Sequence, residues 1–302
     1  MPAARATIAV LTMLAGVVAG CGGNADGDGG DLFDAERAYR DVEAQVAIGP
    51  RPSRSAGSRD EVAFIERELR AAGVQDVRVQ RPHANVVGVI PGRGSGAVVI
   101  GAHHDTKDGI RGFVGANDGA SGVAVVLELA RILAAGAPLD GPPVHLALFD
   151  AEEARGDRPF PEDGTRGSRQ YVEYGDAGGR QGSPPIQEIE AMVLFDLVGD
   201  CGLRVPLEAG SDPALYGRFA EAAEEARGDR APFTGTTTAV GDDHTPFVEA
   251  GIPAVDLIDF AYGEGSPPGS YWHTAQDTLD KVCADSLDAV GEAAVRAIPE
   301  LP

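Results

Sequence analysis

The sequence predicts one α/β domain: a sheet carrying helices on both faces. Three observations support this. Helical and strand-like segments alternate along the chain. The central strands read as continuous apolar runs, as in sheets covered on both sides. Acidic and imidazole side chains sit at the carboxyl ends of those runs, where open α/β sheets place their ligand sites. With 302 residues, 43% of them hydrophobic, the chain suffices for a large core.

The first segment reads as an export signal. Arg5 supplies a positive start, and Ile8 to Val18 is apolar but too short to span a bilayer. Val18-Ala19-Gly20-Cys21 resembles the lipobox of bacterial lipoproteins, in which the cysteine is lipidated after cleavage before it. The plain alternative is an ordinary secretory signal with an incidental cysteine. The expected layout is a signal over residues 1–21, a flexible Gly- and Asp-rich tether over 22–33, and one folded domain over 34–302. Cys201 and Cys283 then remain. Outside the cytoplasm they could pair, or they could be two buried thiols.

Asp34 to Ile48 and Ser58 to Ala72 carry apolar residues at three- and four-residue spacing, which predicts two amphipathic helices. The turn-rich Gly49-Pro-Arg-Pro-Ser-Arg-Ser-Ala-Gly57 separates them. Val77 to Val79, Asn85 to Ile90 and Ala97 to Ile100 are strand-like. Ser121 to Ala135 is a strongly apolar helix. Val144 to Phe149 and Met192 to Leu197 are buried strands, Asp212 to Arg227 a helix, Ala254 to Ile258 a late strand, and Ser286 to Ile298 a closing helix. The formal net charge of −22 disfavours nucleic acid and anionic membrane surfaces as partners.

The strand Val144 to Phe149 runs into Asp150, Glu152 and Glu153. Carboxylates packed at the end of a buried strand are costly unless a positive charge offsets them, and a divalent cation is one such offset. His103 and Asp105 follow the strand Ala97 to Ile100. On an extended chain they face one way, so His103 can ligate a metal while Asp105 orients its ring. Asp118 lies among small residues that let backbone approach an ion; as a helix N-cap it would be merely structural. Asp196 ends another strand, and His273 sits in the late loop Tyr271-Trp-His-Thr274.

Together these segments resemble the zinc-dependent family 28 metallopeptidases, which include bacterial aminopeptidases and animal-type glutaminyl cyclases. The resemblance runs from the Gly49-Pro-Arg-Pro52 loop to His273 and Asp277. It implies a three-layer α/β/α domain with a central mixed, mostly parallel sheet of about eight strands. It also implies the ligand set His103, Asp118, Glu153, Asp196 and His273, with Glu152 moving protons. An aminopeptidase of this family uses two zinc ions and hydrolyses the first peptide bond. A glutaminyl cyclase uses one, held at positions matching Asp118, Glu153 and His273, and closes an N-terminal glutamine to pyroglutamate with release of ammonia. Either way the expected partners are peptide or protein N-termini. The membrane is met only through the lipid anchor, and a monomer is expected.

The cyclase branch is favoured by Asp242-Asp243-His244-Thr-Pro-Phe247, whose first Asp matches a catalytic cyclase residue and could share a proton with Asp196. Lys107, the Phe113-Val-Gly-Ala116 segment and Trp272 beside His273 also resemble the cyclase side. The plain readings are a capping or solvated acid for Asp242 and simple packing for Trp272. Against the cyclase, a tryptophan after the Glu-Glu pair is absent, with Phe160 the nearest substitute for the pocket. Asp256 replaces a cyclase histidine, and the Gly/Pro-rich loop Phe260 to Ser270 is longer. A catalytically silent binding module would be expected to have lost Glu152 or a ligand, and none is lost.

Overall fold

The computed structural model describes Met1 and residues 31–302. The expected signal, the lipobox with Cys21 and most of the tether lie outside the described residues. The tether's last residues are held in place. The backbone N–H groups of Leu32 and Phe33 donate to the Glu292 carboxylate, and the Phe33 ring is buried.

Helices α1 (Ala35–Ile48) and α2 (Ala56–Ala71) lead into β1 (Gln75–Val79), β2 (Val86–Ile90) and β3 (Ala97–His103). Then come α3 (Ala120–Ala135), β4 (Val144–Phe149), α4 (Phe160–Asp163), α5 (Arg166–Asp176), β5 (Ile189–Asp196) and β6 (Val205–Glu208). The chain continues through α6 (Pro213–Arg227), β7 (Phe233–Thr238), α7 (Thr245–Glu249), β8 (Ala254–Ile258) and α8 (Ala284–Ala297). Six strands form the main sheet in the order β1-β2-β4-β3-β5-β8, while β6 and β7 pair separately. The eight strands thus divide into two sheets. In the main one β4, β3, β5 and β8 run parallel, with β1 and β2 antiparallel at one edge.

Period-two alternation sends successive strand residues to opposite faces. Val98, Ile100 and Ala102 of β3, with Val193 and Phe195 of β5, join a core built with α1, α2, α3, α6 and α8. Val99, Met192 and Leu194 face the other way, onto Tyr171 of α5 and Phe247 of α7. All seven β3 residues are buried, which explains a run without polar alternation. Burying each large aliphatic side chain contributes roughly 1.5–3 kcal/mol. On α3, a Cβ at Gly122 would lie 2.1 Å from the Phe195 carbonyl oxygen. Only glycine lets the start of α3, and with it Asp118, come this close to the end of β5.

Ser55 caps α2 by accepting from the Ser58 N–H, so that helix starts two residues earlier than the apolar spacing predicted. The short helices α4 and α7 and the strands β6 and β7 lack a clear apolar period; α5 is amphipathic, burying Tyr171 on one face, but the sequence reading did not pick it out. Cys201 and Cys283 form a disulfide, which fastens the segment after β5 to the start of α8.

The Gly49-Pro-Arg-Pro52 turn is built around Arg51, which is wholly buried. Its Nη1 donates to the carbonyls of Gln45, Gly49 and Val114 at 3.2, 3.1 and 2.7 Å, and its Nη2 to Gly115 at 3.1 Å. This clamps the first turn to the segment leading into Asp118. The guanidinium Nε lies 3.6 Å from the buried Glu61 carboxylate, whose two oxygens accept no hydrogen bond. Burial pushes the Glu61 carboxyl up to about 7 despite the pull of Arg51. The folded protein therefore binds this proton more tightly than the unfolded chain. The resulting stability is fully present below the ordinary value of 4.5 and is lost as pH rises through about 7. Wild type is expected to lose up to about 3 kcal/mol relative to Glu61→Gln between pH 4.5 and 8. Denaturant midpoints of both proteins across that range check this; parallel pH profiles would refute it.

Candidate active site

Three strand ends and three loops converge on one cleft. His103 is the last residue of β3, paired across to Phe149 of β4. Asp196 is the last residue of β5. Glu152 and Glu153 follow β4, Asp118 precedes α3, Asp242 precedes α7, and His273 lies between β8 and α8. All the acids here and His103 are buried, and the His273 side chain is 19% exposed.

Two groups of three potential ligands share Asp118. In the first, His103 Nε2 lies 3.3 Å from Asp118 Oδ1 and 3.1 Å from Asp196 Oδ1. In the second, His273 Nε2 lies 3.5 Å from Asp118 Oδ2 and 2.9 Å from Glu153 Oε1. Within each group the ligand atoms lie within 4.8 Å of one another. Imidazole nitrogen with carboxylate oxygen is a donor set that suits zinc. The electrostatics agree. Asp118 Oδ2 is buried without a hydrogen-bond partner. Burial and the neighbouring Asp118 push the Glu153 carboxyl up to about 7. A cation between the groups would relieve that crowding. The residues fit the metal.

The backbone is strained where these side chains are aimed. Among non-glycine residues, Ala151, Leu197 and His273 have φ of 61°, 50° and 51°. Two adjoin candidate site residues and the third is one. Such conformations cost of order 1–3 kcal/mol each and persist only where surrounding structure holds them. Asp277 supplies part of that hold. Its carboxylate accepts the N–H of Asn117 at 2.8 Å, the N–H of Asp118 at 3.1 Å and the Tyr262 hydroxyl at 2.7 Å.

Asp105 does face the His103 ring, its carboxylate 3.9 Å from Nδ1, and does more than its spacing suggested. Its carbonyl oxygen, 3.1 Å away, orients His103 Nδ1. Its carboxylate accepts the Glu152 N–H at 3.0 Å, because the chain turns after β3 and no longer alternates. Asp118 does not cap α3: the cap residue is Gly119 and no side-chain cap bond forms. Asp242 does not cap α7 either, since His244 occupies that position.

Glu152 lines the cavity beside Glu153. Burial, then the charges of Glu153, Asp242 and Asp243, hold its carboxyl well above the usual carboxylate range, against the opposing pull of His103. Asp242 is raised by burial and by Asp196. Its Oδ1 accepts the Asp243 N–H at 2.6 Å, and its buried Oδ2 has no hydrogen-bond partner. No hydrogen bond joins Asp242 to Asp196 among the described residues; their coupling is through space. Asp256, expected from the resemblance to stand in for a cyclase histidine, is buried in β8, and the His244 imidazole lies 3.5 Å from it.

The cavity holds about 550 Å³ and is walled by Phe160, Phe260, Trp272, Val240 and Ile258. Trp272 stacks on the His273 ring at 3.7 Å and 15°, with Phe260 edge-on to Trp272 at 5.4 Å. Lys107 donates to the Ala154 carbonyl, with its ammonium 4.0 Å from Glu153. Sequence reasoning gave no role to Arg51, Asp277 or Phe260. The arginine inside an apolar-bounded turn, and an acid four residues after His273, were the available signals.

The model of peptidase family M28 matches residues 85–298. A solved glutaminyl cyclase from an Acidobacteriales bacterium is similar, with a TM-score of 0.78 and 30% identity over 92% of this chain and 98% of that one. A leucine aminopeptidase precursor from Bacteroides thetaiotaomicron is also similar, with a TM-score of 0.73 and 25% identity over 89% of this chain and 98% of that one. The glutaminyl-peptide cyclotransferase of Boiga irregularis is 29% identical over 244 residues, 70% of this chain and 64% of that protein. The match therefore spans just under two thirds of that curated relative's length. The conjunction of fold, ligand geometry and these likenesses places the chain: it belongs to peptidase family M28.

Proposed function

We propose that this protein is a zinc-dependent glutaminyl-peptide cyclotransferase, converting N-terminal glutamine to pyroglutamate with loss of ammonia. Asp242 carries this reading. It is a buried acid on the cavity wall with one oxygen unpartnered, and burial, with the charge of Asp196, pushes it toward its protonated form. Such a carboxylic acid can donate to a substrate amide.

Asp118, Glu153 and His273 would hold the zinc. When bound, zinc supplies Lewis-acid polarisation of the side-chain amide carbonyl. The protein's own groups do the rest. The aromatic walls formed by Trp272, Phe260 and Phe160 enclose the glutamine side chain and exclude water. The α-amine attacks the amide carbon, forming the new C–N bond. Glu152 takes one proton from that amine and returns it to the departing nitrogen, which leaves as ammonia as the old C–N bond breaks. A carboxyl whose surroundings raise its proton affinity suits a group that accepts and then returns a proton. No water is consumed.

A di-zinc aminopeptidase is the second reading. It is favoured by the completeness of both ligand groups around Asp118. Glu152 would there take a proton from attacking water.

We further propose that the enzyme is exported and lipid-anchored through Cys21. The Cys201–Cys283 disulfide supports an oxidising compartment.

Protein lacking residues 1–21 is expected to release ammonia from a Gln-initiated peptide without chain cleavage, and no leucine from a Leu-initiated one. The reverse pattern would establish the peptidase. Elemental analysis is expected to give near one zinc per chain, against near two for the peptidase. Glu152→Gln should lower turnover by about 10²–10⁴-fold with zinc retained. Normal turnover in that variant would remove its proposed role. Asp242→Ser is expected to impair cyclisation severely while leaving zinc content intact; full activity would remove the main support for the cyclase.

A further inference from the structure

Asp242 has few holds of its own. Its Oδ1 accepts the N–H of the next residue, Asp243, and its Oδ2 is unpartnered. Its backbone bonds are also local. The Asp242 N–H donates to the Thr245 hydroxyl at 3.2 Å, and its carbonyl accepts the Thr245 N–H at 2.8 Å. A short connection between β7 and α7 that carries a reacting acid has to be located by groups outside itself.

Glu208 supplies that location. It is the last residue of β6, paired with Thr238 at the end of β7, and it is 2% exposed. Its Oε1 accepts the Val240 N–H at 3.2 Å, and its Oε2 lies 3.1 Å from His244 Nε2. These contacts fall two residues before Asp242 and two after it, so one carboxylate holds the segment on both sides of the acid. Val240 itself walls the cavity, which Glu208 does not line.

The hold extends to the main sheet. Glu208 Oε2 also accepts the Gly210 N–H at 2.6 Å and the Ser211 hydroxyl at 3.3 Å. Ser211 Oγ accepts the N–H of Asp256 in β8 at 2.9 Å, and the Asp212 N–H donates to the Ala254 carbonyl at 2.7 Å. His244 Nδ1 lies 3.5 Å from Asp256 Oδ2. The loop after β6 closes tightly over the pair: a Cβ at Gly210 would lie 3.1 Å from Glu208 Oε2 and 3.4 Å from His244 Nε2. Burial opposes ionisation of Glu208, but the His244 ring and the Val240 and Gly210 N–H groups hold its carboxyl below the ordinary value. It is thus an anion at neutral pH, with both oxygens free to accept.

We infer that Glu208, acting through Val240 and His244, is the positioning residue that fixes where Asp242 meets the substrate. This inference rests on Asp242 acting on the substrate amide, as in the cyclase reading.

Glu208→Gln tests it with little change of shape. An amide presents N–H groups in place of one acceptor oxygen. Whichever way it turns, a donor meets the N–H of Val240 or of Gly210, and one hold is lost. On a Gln-initiated peptide the zinc-loaded variant is expected to lose about 10–100-fold in kcat. Its KM should change by less than about threefold, since the lost interaction serves the transition state, and its zinc content should match wild type. In an Asp242→Asn background the same substitution should cost less than about twofold, because the group it positions is already gone. Losses that multiply, or a raised KM with unchanged kcat, overturn the positioning role. Crystal structures of wild type and Glu208→Gln give a readout independent of turnover: Asp242 is expected to shift by about 1 Å, and an unmoved Asp242 overturns the inference. Should Glu208→Gln not fold, His244→Phe, which removes the second hold, goes through the same measurements with the same outcomes. If no glutamine peptide yields ammonia, the cyclase reading fails separately. The paired structures then decide whether Glu208 locates Asp242, as they do if Asp242→Asn leaves no measurable rate.

Discussion

The arrangement depends on burying like charges next to one another. Asp118 sits between two imidazoles, with Asp196 on one side and Glu153 on the other. Glu152 and Asp242 complete the ring of acids around the cavity. In a low-dielectric cleft this is a standing electrostatic cost, offset in part by His103 and His273. The scaffold carries that cost. Parallel strands deliver His103 and Asp196 to one edge, Gly122 lets α3 close in on β5, and strained residues at 151, 197 and 273 re-aim the chain where it leaves regular structure. The same crowding makes the site suited to a divalent cation and to proton transfer.

Much of this was legible in the sequence. The apolar runs of β3, β4, β5 and β8 are covered on both faces, so their patterns were unambiguous, and the residues after them pointed to the cleft. Family M28 membership was legible because His103, Glu153 and Asp196 fall at or just after strand ends, while Asp118 and His273 sit in loops whose motifs resemble the family's. Less legible were elements that owe their form to tertiary contacts. β7 is Phe233–Thr238, a Thr-rich strand with no core-facing alternation. α7 is five residues long, Thr245–Glu249, with Pro246 as its second residue. The division of eight strands into six and two is set by pairing, which local pattern does not reveal. The work done by Arg51 is equally non-local, since its partners come from three separate stretches of chain.

The cyclase and peptidase readings of this site differ in what the His103 side of the cleft would hold. The ligand groups are complete on both sides, so counting ligands does not separate the chemistries. What differs is the company the second group keeps. Asp242 and Asp256 add two buried acids whose side-chain oxygens are largely unpartnered. Protons can satisfy those acids without a second metal. The imidazole beside Asp256 comes from His244, on a different element.

Asp277 joins two parts of the molecule that are far apart in the chain. One of its oxygens receives the Tyr262 hydroxyl from the loop after β8; both receive amides from the turn that presents Asp118. The loop and the ligand turn are thus coupled mechanically through one carboxylate. The Asp118 turn therefore keeps its position only while the far loop keeps its own, since both hang from the same buried carboxylate.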